Sequence, residues 1–77
     1  QLDLVQLYYD LGVRWMALAY NRNNRVGGGC QDEDGGLTHF GRDLLREMSR
    51  VGMVPCVSHT GYRTAREACE VHDKPLI

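Results

Sequence analysis

Several absences narrow what this chain does. No apolar run approaches the ~18 residues that a membrane-spanning helix needs. A basic-then-apolar leader is also missing from the start, so no secretory signal is read there. Neither sign of charge is in excess: nine Lys and Arg against ten Asp and Glu leave a formal net charge of -1. A balance of that kind gives no electrostatic footprint for nucleic acid or an anionic lipid surface. Cysteine is sparse and odd in number, with Cys30, Cys56 and Cys69 scattered, which excludes a disulfide framework. Reduced thiols are the expectation, and they favour a cytoplasmic setting. The run Gly27-Gly28-Gly29 is not followed by Gly-Lys-Ser/Thr and does not lead straight into a helix, so it reads as a flexible hinge rather than a phosphate loop.

Length is the other thing in short supply. A 77-residue chain holds one small domain at most, and a domain near this size buries only about 60% of its unfolded surface. That is too little to enclose a large active site. Leu2 to Leu11 reads as a helix already in progress, and Lys74-Pro75-Leu76-Ile77 reads as a strand just opening. The chain is therefore expected to be an internal piece of a longer protein.

What is present is an alternation. Leu2, Val5, Leu7, Tyr8 and Leu11 fall near one face at helical spacing, opposite Asp3, Gln6 and Asp10, and Gly12 supplies a left-handed stop. Val13 to Tyr20 is mostly apolar with little alternation, the pattern of a strand covered on both faces. Asn21 to Gly36 then turns polar and glycine-rich without periodicity, long for a connection inside a compact domain and so a functional or disordered loop. Thr38 is a candidate N-cap for a helix with the apolar stripe Leu37, Phe40, Leu44, Leu45, Met48 and Val51. Arg42, Arg46 and Arg50 lie on its other side with Asp43 and Glu47 between them, a solvated ionic face. Gly52 ends this helix, and Met53 to Ser58 follows as an apolar strand in which Pro55 lacks an amide donor. A third helix covers about Tyr62 to His72. Helices and strands alternating through short glycine-capped returns give an α/β fold with parallel strands, because each helix is the crossover.

Three groups of residues can carry chemistry. His59 ends an apolar strand, where ligands and metals sit in α/β folds; its imidazole suits a transition metal or a plain structural hydrogen bond. Tyr20 ends the other strand at the same expected rim, placed either to donate to a developing oxyanion or simply to cap the strand. A rival constellation is Cys56-x-x-His59 with Cys69-x-x-His72, a small structural zinc module, although Cys56 and His59 would point to opposite sides of a regular strand. Cys30, Asp32, Glu33, Asp34 and His39 form a further polar group that lacks the ligand spacing of a calcium loop and reads as a solvated acidic segment.

The order of residues also resembles a known family. Y-D-L-G-V-R-W-M-A-L-A-Y-N-R-N-N (9 to 24), C-Q-D-E-D-G-G-L-T-H-F-G-R (30 to 42) and E-M-S-R-V-G-M-V-P-C-V-S-H-T (47 to 60) are similar to the membrane, or renal, dipeptidases, over about Tyr8 to Ile77. G-G-L-T-x-F-G-R and V-G-M-V-x-x-x-S-H are the most specific parts. The resemblance implies a partial (β/α)8 TIM barrel, about three consecutive helix-strand units of a single metallopeptidase domain. It implies hydrolysis of dipeptides at a centre of two Zn2+ ions in the full-length protein, and it allows a homodimer. His59 matches a zinc-ligand histidine; a second ligand histidine is implied beyond Ile77, and a His-x-Asp pair and bridging glutamate before Gln1. Where many members carry Thr-His, this chain has Ala19-Tyr20, so Tyr20 is expected to face substrate without the positive charge a histidine can carry. A catalytically inactive member is the alternative that this departure leaves open. A piece of a barrel is expected to expose strand edges and its inner sheet face, and to be ordered only within a larger protein or assembly, or as a compact but irregular piece.

Overall fold

The computed structural model describes residues 2–77. Five elements follow in order: α1 (Asp3–Asp10), β1 (Trp15–Ala17), α2 (His39–Val51), β2 (Val54–Cys56) and α3 (Tyr62–Val71). The strands pair in parallel, with Trp15 opposite Val54, Met16 opposite Pro55 and Ala17 opposite Cys56. The chain is thus α/β with parallel strands, as the alternation requires.

The central helix forms where the sequence places it. The Thr38 hydroxyl accepts from the Gly41 amide at 2.9 Å and satisfies one of the open donors of the first turn. At the other end Gly52 takes φ 92, a left-handed conformation that glycine adopts without steric cost. Between these stops Leu44, Leu45 and Met48 are buried. They meet Val5 of α1, Ala68 of α3, and Leu18 and Met53 beside the strands in one core. Leu18, Leu45, Met48 and Met53 are each no more than 2% exposed, and full burial of such side chains is worth about 1.5–3 kcal/mol apiece. The arginines on the far side of α2 are tied up in ion pairs: Arg46 with Asp43, Arg50 with Glu47, and Arg42 with Glu67 of α3.

Two expectations are corrected here. The apolar residues of α1 do not share one buried face: Leu4, Leu7, Tyr8 and Leu11 are exposed, and it is Val5, with Leu2 and Tyr9, that packs inward. The helix carries apolar residues around more of its circumference than one contact covers. Likewise β1 is not covered on both faces. Met16 and Leu18 pack toward the helices, but Trp15 and Ala17 lie open, with Trp15 59% exposed.

Pro55 proves compatible with its strand. Toward β1 the ladder uses its neighbours and flanks, as in the Val54 amide to the Arg14 carbonyl at 2.8 Å and the Leu18 amide to the Cys56 carbonyl at 3.1 Å. The Pro55 carbonyl faces the other way and accepts from the Ile77 amide at 3.0 Å, while the Ile77 carbonyl accepts from Val57 at 2.6 Å. That exchange is the parallel pattern, so Ile77 lies beside β2 as the start of a third strand would. No helix among the described residues is long and apolar enough to cross a membrane.

Candidate functional site

The strand register sets the site. Ala17 is opposite Cys56, and Tyr20 and His59 each follow three residues later. Equal lengths of chain beyond a matched pair bring both side chains to one rim. Their rings stack there, with centroids 4.0 Å apart and planes inclined by 16°.

His59 is held in an uncommon backbone state. Its φ of 64 is the one positive value at a non-glycine among the described residues, a conformation that costs on the order of 1–3 kcal/mol and that accumulates at functional positions. The surroundings fix it. Its carbonyl accepts from the Cys30 amide at 2.9 Å, and the next amide, Thr60, reaches the Val57 carbonyl at 3.0 Å. On the ring, Nδ1 lies 3.2 Å from Oδ1 of Asn21. The imidazole is otherwise exposed, and among the described residues its Nε2 has no hydrogen-bond partner.

The long loop is built, not slack. Asn24 closes a turn on itself, its carboxamide oxygen accepting from the Val26 and Gly27 amides at 2.8 and 3.1 Å, as asparagine does in such turns. Its amide nitrogen donates to the Leu18 carbonyl at 2.9 Å and so ties the loop to the end of β1. Gly29 bridges Thr60 in antiparallel fashion, and the Gly61 amide donates to Gly28 at 2.7 Å. The hinge expected at Gly27-Gly28-Gly29 is therefore replaced by a tight seam. All three are buried, and an added Cβ would run into Thr64 at the first, Asp34 at the second and the Asn21–Arg22 backbone at the third. These glycines are there for close approach.

Asp34 locks the seam to α3. It accepts from the Thr64 hydroxyl at 2.6 Å, the Thr64 amide at 3.0 Å and the Gly36 amide at 3.0 Å, while the Thr64 oxygen accepts from Gly28 at 2.8 Å. Burial opposes the charged form, but donation by Thr64, Gly36 and Arg63 outweighs it and holds the carboxyl below its ordinary 3.8. A carboxylate depressed in the folded state stabilises fully above its unfolded value and loses that contribution as pH falls through the folded one. In the full-length protein, Asp34→Ala is expected to cost about 2–3 kcal/mol at neutral pH. Thermal melts across pH should show the gap between wild type and variant closing below about pH 4. A gap that stays constant down to pH 2 would show that the charge of Asp34 contributes nothing.

The other sequence candidates separate. Cys56 is buried at the sheet, Cys69 is exposed on α3, and His72 follows the far end of that helix from His59, a helix roughly 15 Å long for ten residues at 1.5 Å each. The four-ligand zinc module is not assembled, because its two arms sit at opposite ends of α3. Among the described residues no three of His, Cys, Asp or Glu converge as a metal site. In the acidic segment, Asp32 serves the loop through Asn23 and Arg22, Asp34 serves α3, and His39 opens α2. One hollow of about 210 Å³ lies beside Ser49, His72 and Asp73, and another of about 200 Å³ beneath Asn24 and Thr38. Neither touches Tyr20 or His59, whose side chains are both exposed, Tyr20 by 60%. Sequence reasoning missed Asn21 and the Asp34–Thr64 lock; the one signal for the latter was a loop too long to be a plain connection.

The family model and the curated relatives both point to dipeptidases. The family model described as Membrane dipeptidase (Peptidase family M19) matches residues 1–77. An uncharacterised dipeptidase of Schizosaccharomyces pombe is 39% identical over 78 residues, covering 97% of this chain and 19% of the relative. The dipeptidase tcpJ of Claviceps purpurea is 34% identical over 78 residues, with 97% and 18% covered. A crystal structure of an amidohydrolase from Pseudomonas aeruginosa superposes with a TM-score of 0.97 at 41% identity, covering 99% of this chain and 23% of that one. The chain spans about a fifth of the length of the curated relatives it matches.

Proposed function

Because this chain belongs to the membrane dipeptidase family, we propose that the full-length protein is a zinc-dependent hydrolase of dipeptides, folded as a (β/α)8 barrel of which these residues form about three consecutive units. The observation that carries the reading is the shared rim of Tyr20 and His59, stacked at 4.0 Å beyond the ends of two parallel strands. In closed barrels of this kind the chemistry sits at the C-terminal ends of the strands.

In this reading His59 is one nitrogen ligand and Tyr20 faces the substrate. The donor chemistry fits: an imidazole engaged through Nδ1 keeps Nε2 available, the arrangement usual for zinc-bound histidine. A single histidine makes no site, so the other ligands come from parts of the protein outside these residues. Zinc, when bound, supplies an acidified water and polarisation of the scissile carbonyl. The chain's own residues orient. His59 holds its ring at a fixed angle against the Tyr20 face, and the Tyr20 hydroxyl is a hydrogen-bond donor for the oxygen on which negative charge develops. Tyr20 carries no positive charge, so it stabilises that oxygen by hydrogen bonding alone. The uncovered face around Trp15 and Ala17 is the part of the sheet that the remaining strands of the barrel would close over.

The test is activity with defined metal content. The full-length protein is expected to hydrolyse unblocked dipeptides, to lose that activity on chelation and to regain it with zinc, while the 77-residue chain alone stays inactive. Full activity after exhaustive metal removal would refute the zinc reading, and hydrolysis by the isolated chain would refute the division of the site between this segment and the rest.

A further inference from the structure

We infer that Asn21 is a positioning residue for His59: its carboxamide oxygen fixes the hydrogen on Nδ1 and so presents the Nε2 lone pair outward from the rim. The inference rests on the reading of His59 as a zinc ligand. An amide oxygen only accepts, so the ring nitrogen 3.2 Å from Oδ1 of Asn21 carries the hydrogen. The Cys30 thiol approaches the same oxygen at 3.4 Å. Two donors converging there set which way the carboxamide faces. With the edge of the imidazole against Asn21 and its face covered by Tyr20 at 4.0 Å, the surroundings favour the tautomer with hydrogen on Nδ1 and one ring angle.

The backbone of Asn21 is fixed by other means. Its carbonyl accepts from the Gln31 amide at 2.8 Å, and the neighbouring Tyr20 carbonyl accepts from Cys30 at 3.2 Å. Removing the carboxamide oxygen therefore leaves the loop's main-chain bonds in place, and the loss falls on His59. Partners of this outer kind raise the basicity of a ligand histidine and hold its orientation; their removal typically weakens metal binding by about 10–100-fold.

The experiment measures zinc affinity by competition with a chromophoric chelator in full-length wild type, Asn21→Leu, Asn21→Asp and His59→Gln. It also records the long-range nitrogen–proton spectrum of histidine-labelled, metal-free protein at a pH where imidazole is neutral. Asn21→Leu is expected to bind zinc about 10–100-fold more weakly, and Asn21→Asp, which keeps an oxygen acceptor, at least as tightly as wild type. The wild-type spectrum should place the hydrogen of His59 on Nδ1, and Asn21→Leu should lose that preference. If Asn21→Leu binds zinc as wild type does while His59→Gln loses it, the positioning role fails and the ligand reading stands. If His59→Gln also binds zinc unchanged, the ligand reading fails and the inference with it. Should Asn21→Leu not fold, the wild-type spectrum decides, since a hydrogen on Nε2 overturns the inference.

Discussion

Replacing His59 with alanine in the full-length protein is expected to lower kcat/KM for dipeptides by about a thousandfold, roughly 4 kcal/mol of transition-state stabilisation. The size follows from the proposed role. A lost ligand loosens the metal centre on which both the acidity of the attacking water and the polarisation of the carbonyl depend. Stability should move far less, because the side chain of His59 is exposed and gives the fold only its bond to Asn21 and its stack on Tyr20. Parallel measurements of zinc content, melting temperature and steady-state kinetics separate these effects. A variant that keeps full zinc and full activity would remove His59 from the site altogether.

The second large effect is expected at Gly29→Ala. A Cβ at this position would meet main-chain atoms of Asn21 and Arg22, and main chain cannot rotate aside as a flexible side chain does. Overpacking of a tight contact costs about 1–3 kcal/mol. Here the strain is delivered where the loop bridges Thr60 and borders both Asn21 and Cys30. Activity should therefore fall together with melting temperature, by tenfold or more for a loss of about 1.4 kcal/mol or greater. Gly35→Ala is the control, since nothing lies within 4 Å of its added Cβ and its φ is not positive; it should leave both unchanged. Equal behaviour of the two variants would show that the seam is slack enough to admit a methyl group.

The elements that were legible in the sequence were those fixed by local chemistry. Thr38, Gly52 and the apolar stripe between them are within one helix of each other, and the helix forms there. The inward face of α1 was not legible, because Leu4, Leu7, Tyr8 and Leu11 are as apolar as the residues that are buried, and only the position of α2 chooses among them. The tight seam at Gly27-Gly28-Gly29, in place of a hinge, was not legible for a related reason. Glycines that admit a close neighbour look the same in sequence as glycines that supply freedom, and the lock between Asp34 and Thr64 spans 30 residues. At the rim, residue order placed Tyr20 and His59 at strand ends. Their stacking depends on the register between strands, which no single strand encodes. The proposed metal role of His59 comes from resemblance to a family; spacing alone favours a plain hydrogen-bonded histidine.

That register has a consequence for how such a chain tolerates change in length. The run from the Arg14 carbonyl to Tyr20 and the run from the Val54 amide to His59 start from one shared bond and end in one stacked pair. They work as two rulers cut to match. Adding or deleting one residue in either would turn every following side chain to the opposite side of the strand and part the two rings. Variation in length among related sequences should therefore spare both rulers, so that the spacing most strictly inherited is in the plainest stretches of the chain.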